Sequence, residues 1–299
     1  MASIAYQFET NFPAPHESSS LLDTPINISS LSRGDEDEVL TALSAPSLTN
    51  VIMSGFVRDN GLVNDLNRGR FYACRNEQSE LEGVALIGHS ILFEAFSDNA
   101  IRAFATFARR EQPAHLLMGE HTAVQKFWSY YAGKEQSPRL VCPVVFLRRD
   151  KPVHESASVD GLRPATKEDL EHVVLAQAAM AFETSGVDPL KKDPAGFCKR
   201  YLRRIQQGRV WVLLKNDRLV FKTDVIADTP EATYIEGVYV SPEQRGKGIG
   251  RTCVNALTQI FLQRTKAVYL FVEQENTRTQ SFYMNLGFST GGQFDLLYF

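Results

Sequence analysis

At 299 residues the chain is long enough for two domains, and 43% apolar with 22% charged residues is ordinary for a globular protein. A net charge of −3 offers no polyanion-binding surface, so nucleic acid is not expected as a partner. Cys74, Cys142, Cys198 and Cys253 show no paired spacing and the six histidines no metal-ligand spacing, which suits a reducing cytoplasm and argues against a metal site. The first cation is Arg33, so the start lacks the charge of a secretory signal. Val84–Phe96 is broken by Gly88, His89, Ser90 and Glu94, so no membrane span is expected either.

Residues 1–30, rich in Ser, Pro, Asn and Thr, read as a loosely ordered arm. Asp35–Glu38 forms an acidic first turn for a short helix, and a second helix is expected over Ser47–Arg58. Strands follow at Phe71–Cys74, Leu81–Ile87 and Ile91–Phe96. Asp98–Arg110 is amphipathic through Ile101, Phe104, Ala105 and Ala108, and precedes a strand at His115–Met118 and a helix over Thr122–Tyr131. Val141–Leu147 is a further strand, and polar Arg148–Ser158 reads as the linker.

The second half opens on a strand at Leu162–Ala165, a helix to Phe182 ended by Ser185-Gly186, and a helix from Asp193-Pro194 to Ile205. Val210–Leu214 and Leu219–Ile226 form a hairpin around Asn216-Asp217, and Ile235–Val240 is a β-branched and aromatic strand. Ser241-Pro242-Glu243-Gln244-Arg245-Gly246-Lys247-Gly248-Ile249-Gly250-Arg251 comes next. A helix follows, in which Val254, Leu257, Ile260 and Phe261 repeat at helical spacing. A strand at Ala267–Val272 leads to a helix from Thr277 to Leu286, expected to be opened by a Thr277-x-x-Gln280 capping box. Two closing strands are expected, at Gly287-Phe288 and Phe294–Phe299.

A strand, a glycine-rich turn and a helix N-terminus with cations but no carboxylate after Glu243 suit a phosphorylated ligand, because unpaired N–H groups meet it at the positive end of the helix dipole. Gly248 after Lys247 excludes a P-loop, and single-residue glycine spacing excludes the dinucleotide fingerprint. Arg245-x-x-Gly248-x-Gly250 resembles the Gln/Arg-x-x-Gly-x-Gly/Ala signature of the GNAT acetyltransferases. The block Glu275-Asn276 followed by Phe282-Tyr283-x-x-Leu286-Gly287-Phe288 resembles the family's last conserved block.

That resemblance implies an α/β fold with a mixed sheet: a GNAT acetyltransferase domain at 156–299 and a degenerate GNAT-like domain at 31–150. The turn Ser97-Asp98-Asn99-Ala100 has no glycine pair and no cation, so no cofactor is expected in the first half. The resemblance further implies acetyl-CoA as co-substrate. Its pyrophosphate would lie on Arg245, Gly246, Lys247, Gly248, Ile249, Gly250 and Arg251, and its pantetheine arm along the backbone of Val238, Tyr239 and Val240. Asn276 would contact CoA, and Tyr283 would protonate the departing thiolate; the alternative is a turn residue and a core residue.

For the base the choice is Glu236, expected to share a face with Val238 and Val240; otherwise it is a solvated or ion-paired strand residue. Glu183 and Asp188, expected between the first two helices of this half, suit a cationic acceptor or a plain surface loop, and Lys222 has no assigned role. The function implied is N-acetyl transfer to an amine by direct attack in a ternary complex. The acceptor is left open among a small amine, a polyamine-like compound, a peptide N-terminus and a lysine. The alternative is a CoA-binding scaffold whose catalysis has lapsed.

Overall fold

The computed structural model describes residues 27–111, 113–133, 136–152 and 158–299. Most of the expected arm and residues 153–157 of the expected linker lie outside them. The elements of the first half are β1 (Asn27–Ser30), α1 (Glu36–Ala42), α2 (Leu48–Asn60), β2 (Gly69–Arg75), β3 (Leu81–Gly88), β4 (Ser90–Ala95), α3 (Asp98–Ala108), β5 (Leu116–Glu120), α4 (His121–Tyr131) and β6 (Leu140–Arg149). Then come β7 (Arg163–Pro164), α5 (Leu170–Ser185), α6 (Pro189–Lys192), α7 (Pro194–Gln206), β8 (Val210–Lys215), β9 (Arg218–Asp228) and β10 (Thr233–Val240). The chain closes with α8 (Ile249–Leu262), β11 (Val268–Glu273), α9 (Thr277–Met284) and β12 (Ser289–Tyr298).

Contacts divide the chain into two units that are not contiguous in sequence. Among the described residues, the first holds those from 27 to 148 together with Phe271–Tyr283 and Ser289–Phe299; the second holds Arg149–Leu270 and Met284–Phe288. The departure from one continuous span at 156–299 has a simple cause. Strand β12 pairs antiparallel with both β5 and β6, so the last strand completes the first unit's sheet.

That sheet runs β1-β2-β3-β4-β5-β12-β6. Residues 27–30, assigned to the arm from sequence, instead form β1, which pairs with β2 from Asn27/Arg75 to Ser30/Tyr72. The β4–β5 pair is parallel, through Ser90/Leu116 and Ile91/Leu117. Its core gathers Phe93, Phe104, Phe127 and Trp128 against Leu297, and Trp128 stacks on Phe299 at 5.6 Å. Of the two expected closing strands, Gly287-Phe288 forms none; β12 starts just after it and takes in most of the second, and its register shifts between Thr290 and Gly292 where glycines permit a bulge.

In the second unit the strands run β11-β10-β9-β8-β7. Asn216 and Asp217 both adopt positive φ (49° and 56°), which gives the β8–β9 hairpin the twist its strands need. Thr166 and Asp169 cap each other reciprocally before α5, and Asp193 caps α7 through Gly196 N at 2.9 Å. Helices α5 and α7 pack Val173, Val174, Phe197, Tyr201 and Ile205 against Val210 and Val212 of β8. The same helices reach β9, where Tyr201 of α7 donates to Asp224 and Gln177 of α5 accepts from Lys222. Among the described residues no helix is long and apolar enough to cross a membrane, and no group of His, Cys, Asp or Glu side chains could hold a metal ion.

Candidate functional site

The loop after β10 is built by its backbone. Pro242–Gln244 makes one 3-10 turn, Ser241 N donates to Val220 O, and Arg245 Nε donates to Val240 O at 3.1 Å. That last bond ties the loop's first cation to the end of β10. Gly246 and Gly248 have φ of +76° and +80°, a conformation that costs most side chains steric strain. A Cβ at either would meet no atom within 4 Å, so the approach to the backbone is open. Gly248 is the N-cap of α8, and no side chain caps the helix or puts an acid in its first turn. The amides at this 14-residue helix's N-terminus, with Lys247 and Arg251 exposed beside them, suit an anion.

The first unit's β4–α3 turn is different in kind. Ser97 Oγ accepts from Ala100 N at 3.2 Å, and Asp98, paired with Lys126 at 2.7 Å, puts a carboxylate where a phosphate would bind.

Strand β10 departs from the regular alternation expected of it. Its parallel register with β11 runs through Thr233/Val268 and Tyr234/Tyr269 and stops there, so Val238, Tyr239 and Val240 carry no pairing with β11. Gly237 has φ of +61°, and the register against β9 shifts between Glu236, opposite Asp224, and Tyr239, opposite Lys222. The extra residue of this bulge turns the side-chain alternation over. Glu236 therefore shares a face with Tyr239 and not, as the two-residue period suggested, with Val238 and Val240. Glu236 is half-buried, accepts a hydrogen bond from Tyr234 Oη, and has its pKa raised, chiefly by burial.

Behind Glu236 lies a buried cluster that sequence reasoning left out. Lys222 is fully buried, its Nζ donating to Gln177 Oε1 and, at 3.0 Å, to Asp224 Oδ2. The same Asp224 oxygen accepts from Tyr201 Oη at 3.3 Å and lies 3.5 Å from Arg204 Nη1. Burial lowers the Lys222 pKa, against the opposing pull of Asp224, and raises that of Tyr201. The signal was present in Phe221-Lys222-Thr223-Asp224-Val225: two opposite charges two residues apart inside an apolar run put both on one face of a strand.

Asn276 and Tyr283 fall in the first unit and are described there. Asn276 Oδ1 accepts from Thr279 N at 3.0 Å, which makes Asn276 the cap of α9. The expected Thr277–Gln280 box does not form, because Gln280 Nε2 instead donates to the carbonyls of Glu273 and Gln274. Tyr283 is 6% exposed and burial raises its pKa, so the phenol keeps its proton across the physiological range. Glu183 lies inside α5 and not in a loop, and Asp188 caps α6 through Leu190 N at 3.0 Å.

A strand whose pairing with β11 ends before a bulge, followed by a glycine-rich turn on a helix N-terminus, is a geometry that suits an extended phosphorylated ligand in an α/β protein. Residues 176–288 match the Acetyltransferase (GNAT) family. Solved structures extend the likeness over nearly the whole chain. A GNAT-family acetyltransferase from Colwellia psychrerythraea is 12% identical, with a TM-score of 0.55 over 91% of this chain and 99% of its own. A tandem GNAT protein from the clavulanic acid biosynthesis pathway is 14% identical, with a TM-score of 0.56 over 92% of this chain and 98% of its own. A Drosophila protein is 10% identical, with a TM-score of 0.65 over 91% and 98%. No curated protein matches the chain. Residues 176–288 thus match the GNAT family, and over nearly its whole length the chain has the fold of solved GNAT proteins, a tandem one among them.

Proposed function

We propose that the protein is an acetyl-CoA-dependent N-acetyltransferase acting on an amine by direct attack in a ternary complex. The observation that carries this reading is the open, uncapped glycine turn at Gly246–Gly248 on the N-terminus of α8, directly after the bulged strand. The pyrophosphate would take the amides and cations of residues 245–251, and the pantetheine amides the side of Val238–Val240 that pairs with neither β9 nor β11. A backbone N–H at the bulge would donate to the thioester carbonyl as it gains negative charge. The amine nitrogen attacks the carbonyl carbon, the C–S bond breaks, Glu236 takes the proton the nitrogen loses, and the sulfur takes a proton from Tyr283. The roles of Tyr283 and Asn276 rest on the sequence block they belong to. We place the protein in the cytoplasm because its four thiols are free.

A screen for CoA thiol release across small amines, polyamines, peptide N-termini and lysine peptides tests this reading. Acceptor-dependent release is expected for at least one class. Tight CoA binding with release for none would favour a scaffold. The first unit has a capped, acidic turn where the second has its cradle, so calorimetry with CoA is expected to saturate at one equivalent per chain. Two equivalents would assign a second phosphate site to residues 96–101.

A further inference from the structure

Lysine is almost never fully buried unless it is paired, and the cluster on β9 buries Lys222 completely. Its anionic partner Asp224 is shared with Arg204, so one carboxylate faces two cations. Asp224 is directly opposite Glu236 in the β9–β10 register, a separation of about 5 Å between cross-strand Cβ atoms. Two cations and two carboxylates then balance only while Glu236 is ionised; protonating it would leave a net positive charge in a desolvated site. Other polar groups near Glu236 are Tyr234 on its own strand, Thr223 on β9, whose hydroxyl donates to the Glu236 carbonyl, Tyr201 on α7 and, from α5, the uncharged Gln177 of the Lys222 bond. A Cβ at Gly237 would come within 3.2 Å of Lys222 Nζ, so the ammonium sits directly behind the bulge.

We propose that Lys222, clamped with Arg204 on Asp224, holds Glu236 as a carboxylate at neutral pH, which makes Lys222 a positioning residue for the catalytic base. This rests on the transferase reading only for the role of Glu236; the charge state can be read without turnover. Burial pushes the Glu236 carboxyl upward and Asp224 adds to the rise, while the Tyr234 hydrogen bond, then Arg204, then Lys222 oppose it. Removing either cation shifts the balance toward the protonated carboxyl, which cannot accept a proton from the amine.

The test is the pH titration of the Glu236 carboxyl, followed by ¹³C NMR of the full chain labelled at glutamate side-chain carboxyls and assigned with Glu236→Gln. In wild type Glu236 is expected to be ionised at pH 7. In Lys222→Met its titration is expected to move to higher pH. Arg204, more than a third exposed, can be lost without opening the core, so Arg204→Gln keeps the test available if Lys222→Met does not fold; it should shift Glu236 in the same direction. A Glu236 titration unchanged in the folded variants would overturn the proposal, as would a protonated Glu236 in wild type at pH 7. Given an acceptor, the acid limb of kcat/KM should move with the carboxyl while the high-pH plateau persists. A limb that stays still would remove Lys222 from the role of positioning the base. A moved carboxyl with no turnover on any amine would leave the charge network standing and defeat the transferase reading alone.

Discussion

Gly248→Asp is expected to abolish measurable CoA binding while leaving the chain folded. The position has φ of +80°, a region aspartate and asparagine enter more readily than other side chains, and a Cβ there meets no neighbour within 4 Å. The fold therefore has little reason to fail. The ligand does: the new carboxylate would stand at the N-cap, where the pyrophosphate is proposed to sit. Two unit charges about 5 Å apart at an effective dielectric of about 20 repel by about 3 kcal/mol, roughly a hundredfold or more in affinity. Gly248→Asn adds similar bulk without charge and should retain more of the binding. Calorimetry checks both, and unchanged affinity in the aspartate variant would overturn the cradle assignment.

Tyr283→Phe is expected to lower kcat by about a hundredfold or more, the usual scale of a lost general acid, with CoA affinity changed by less than about 1 kcal/mol. Removing one hydroxyl leaves the ring packed against Phe282, 5.0 Å away, so folding should survive. The loss falls on kcat because the hydroxyl acts most strongly as charge develops on sulfur. The phenol's raised pKa keeps it a donor, and it makes full transfer harder, so donation should strengthen only as the C–S bond breaks. Steady-state kinetics with a thiol reagent decides this. Full turnover in the variant would remove the acid role, and an unfolded variant would return Tyr283 to the core.

What could be read from sequence was what local chemistry dictates. The hairpin turn at Asn216-Asp217, the cap at Asp193 before Pro194 and the uncapped glycine turn at Gly246–Gly248 each depend on residues adjacent in the chain. They stand as expected. What escaped was set by partners far away. Strand β12 looked like two pieces because nothing local announces that β5 and β6 flank it. The face of Glu236 was misjudged because the bulge at Gly237, whose φ is positive, adds the residue that inverts the alternation. Lys222 had no role to read until the fold set Asp224, Arg204 and Gln177 around it. Asn276 and Tyr283 could be read from their sequence block, yet the cap bond from Thr279 and the burial of the phenol depend on the folded chain.

The measurement that tests the central claim most directly is ¹³C NMR of acetyl-CoA labelled at the acetyl carbonyl, mixed with the full chain and a pool of amines. The proposed activity predicts that the thioester resonance declines as an amide resonance grows in equal amount, and that Gly248→Asp stops the exchange. A thioester that persists, or one that declines only into free acetate, would contradict N-acetyl transfer.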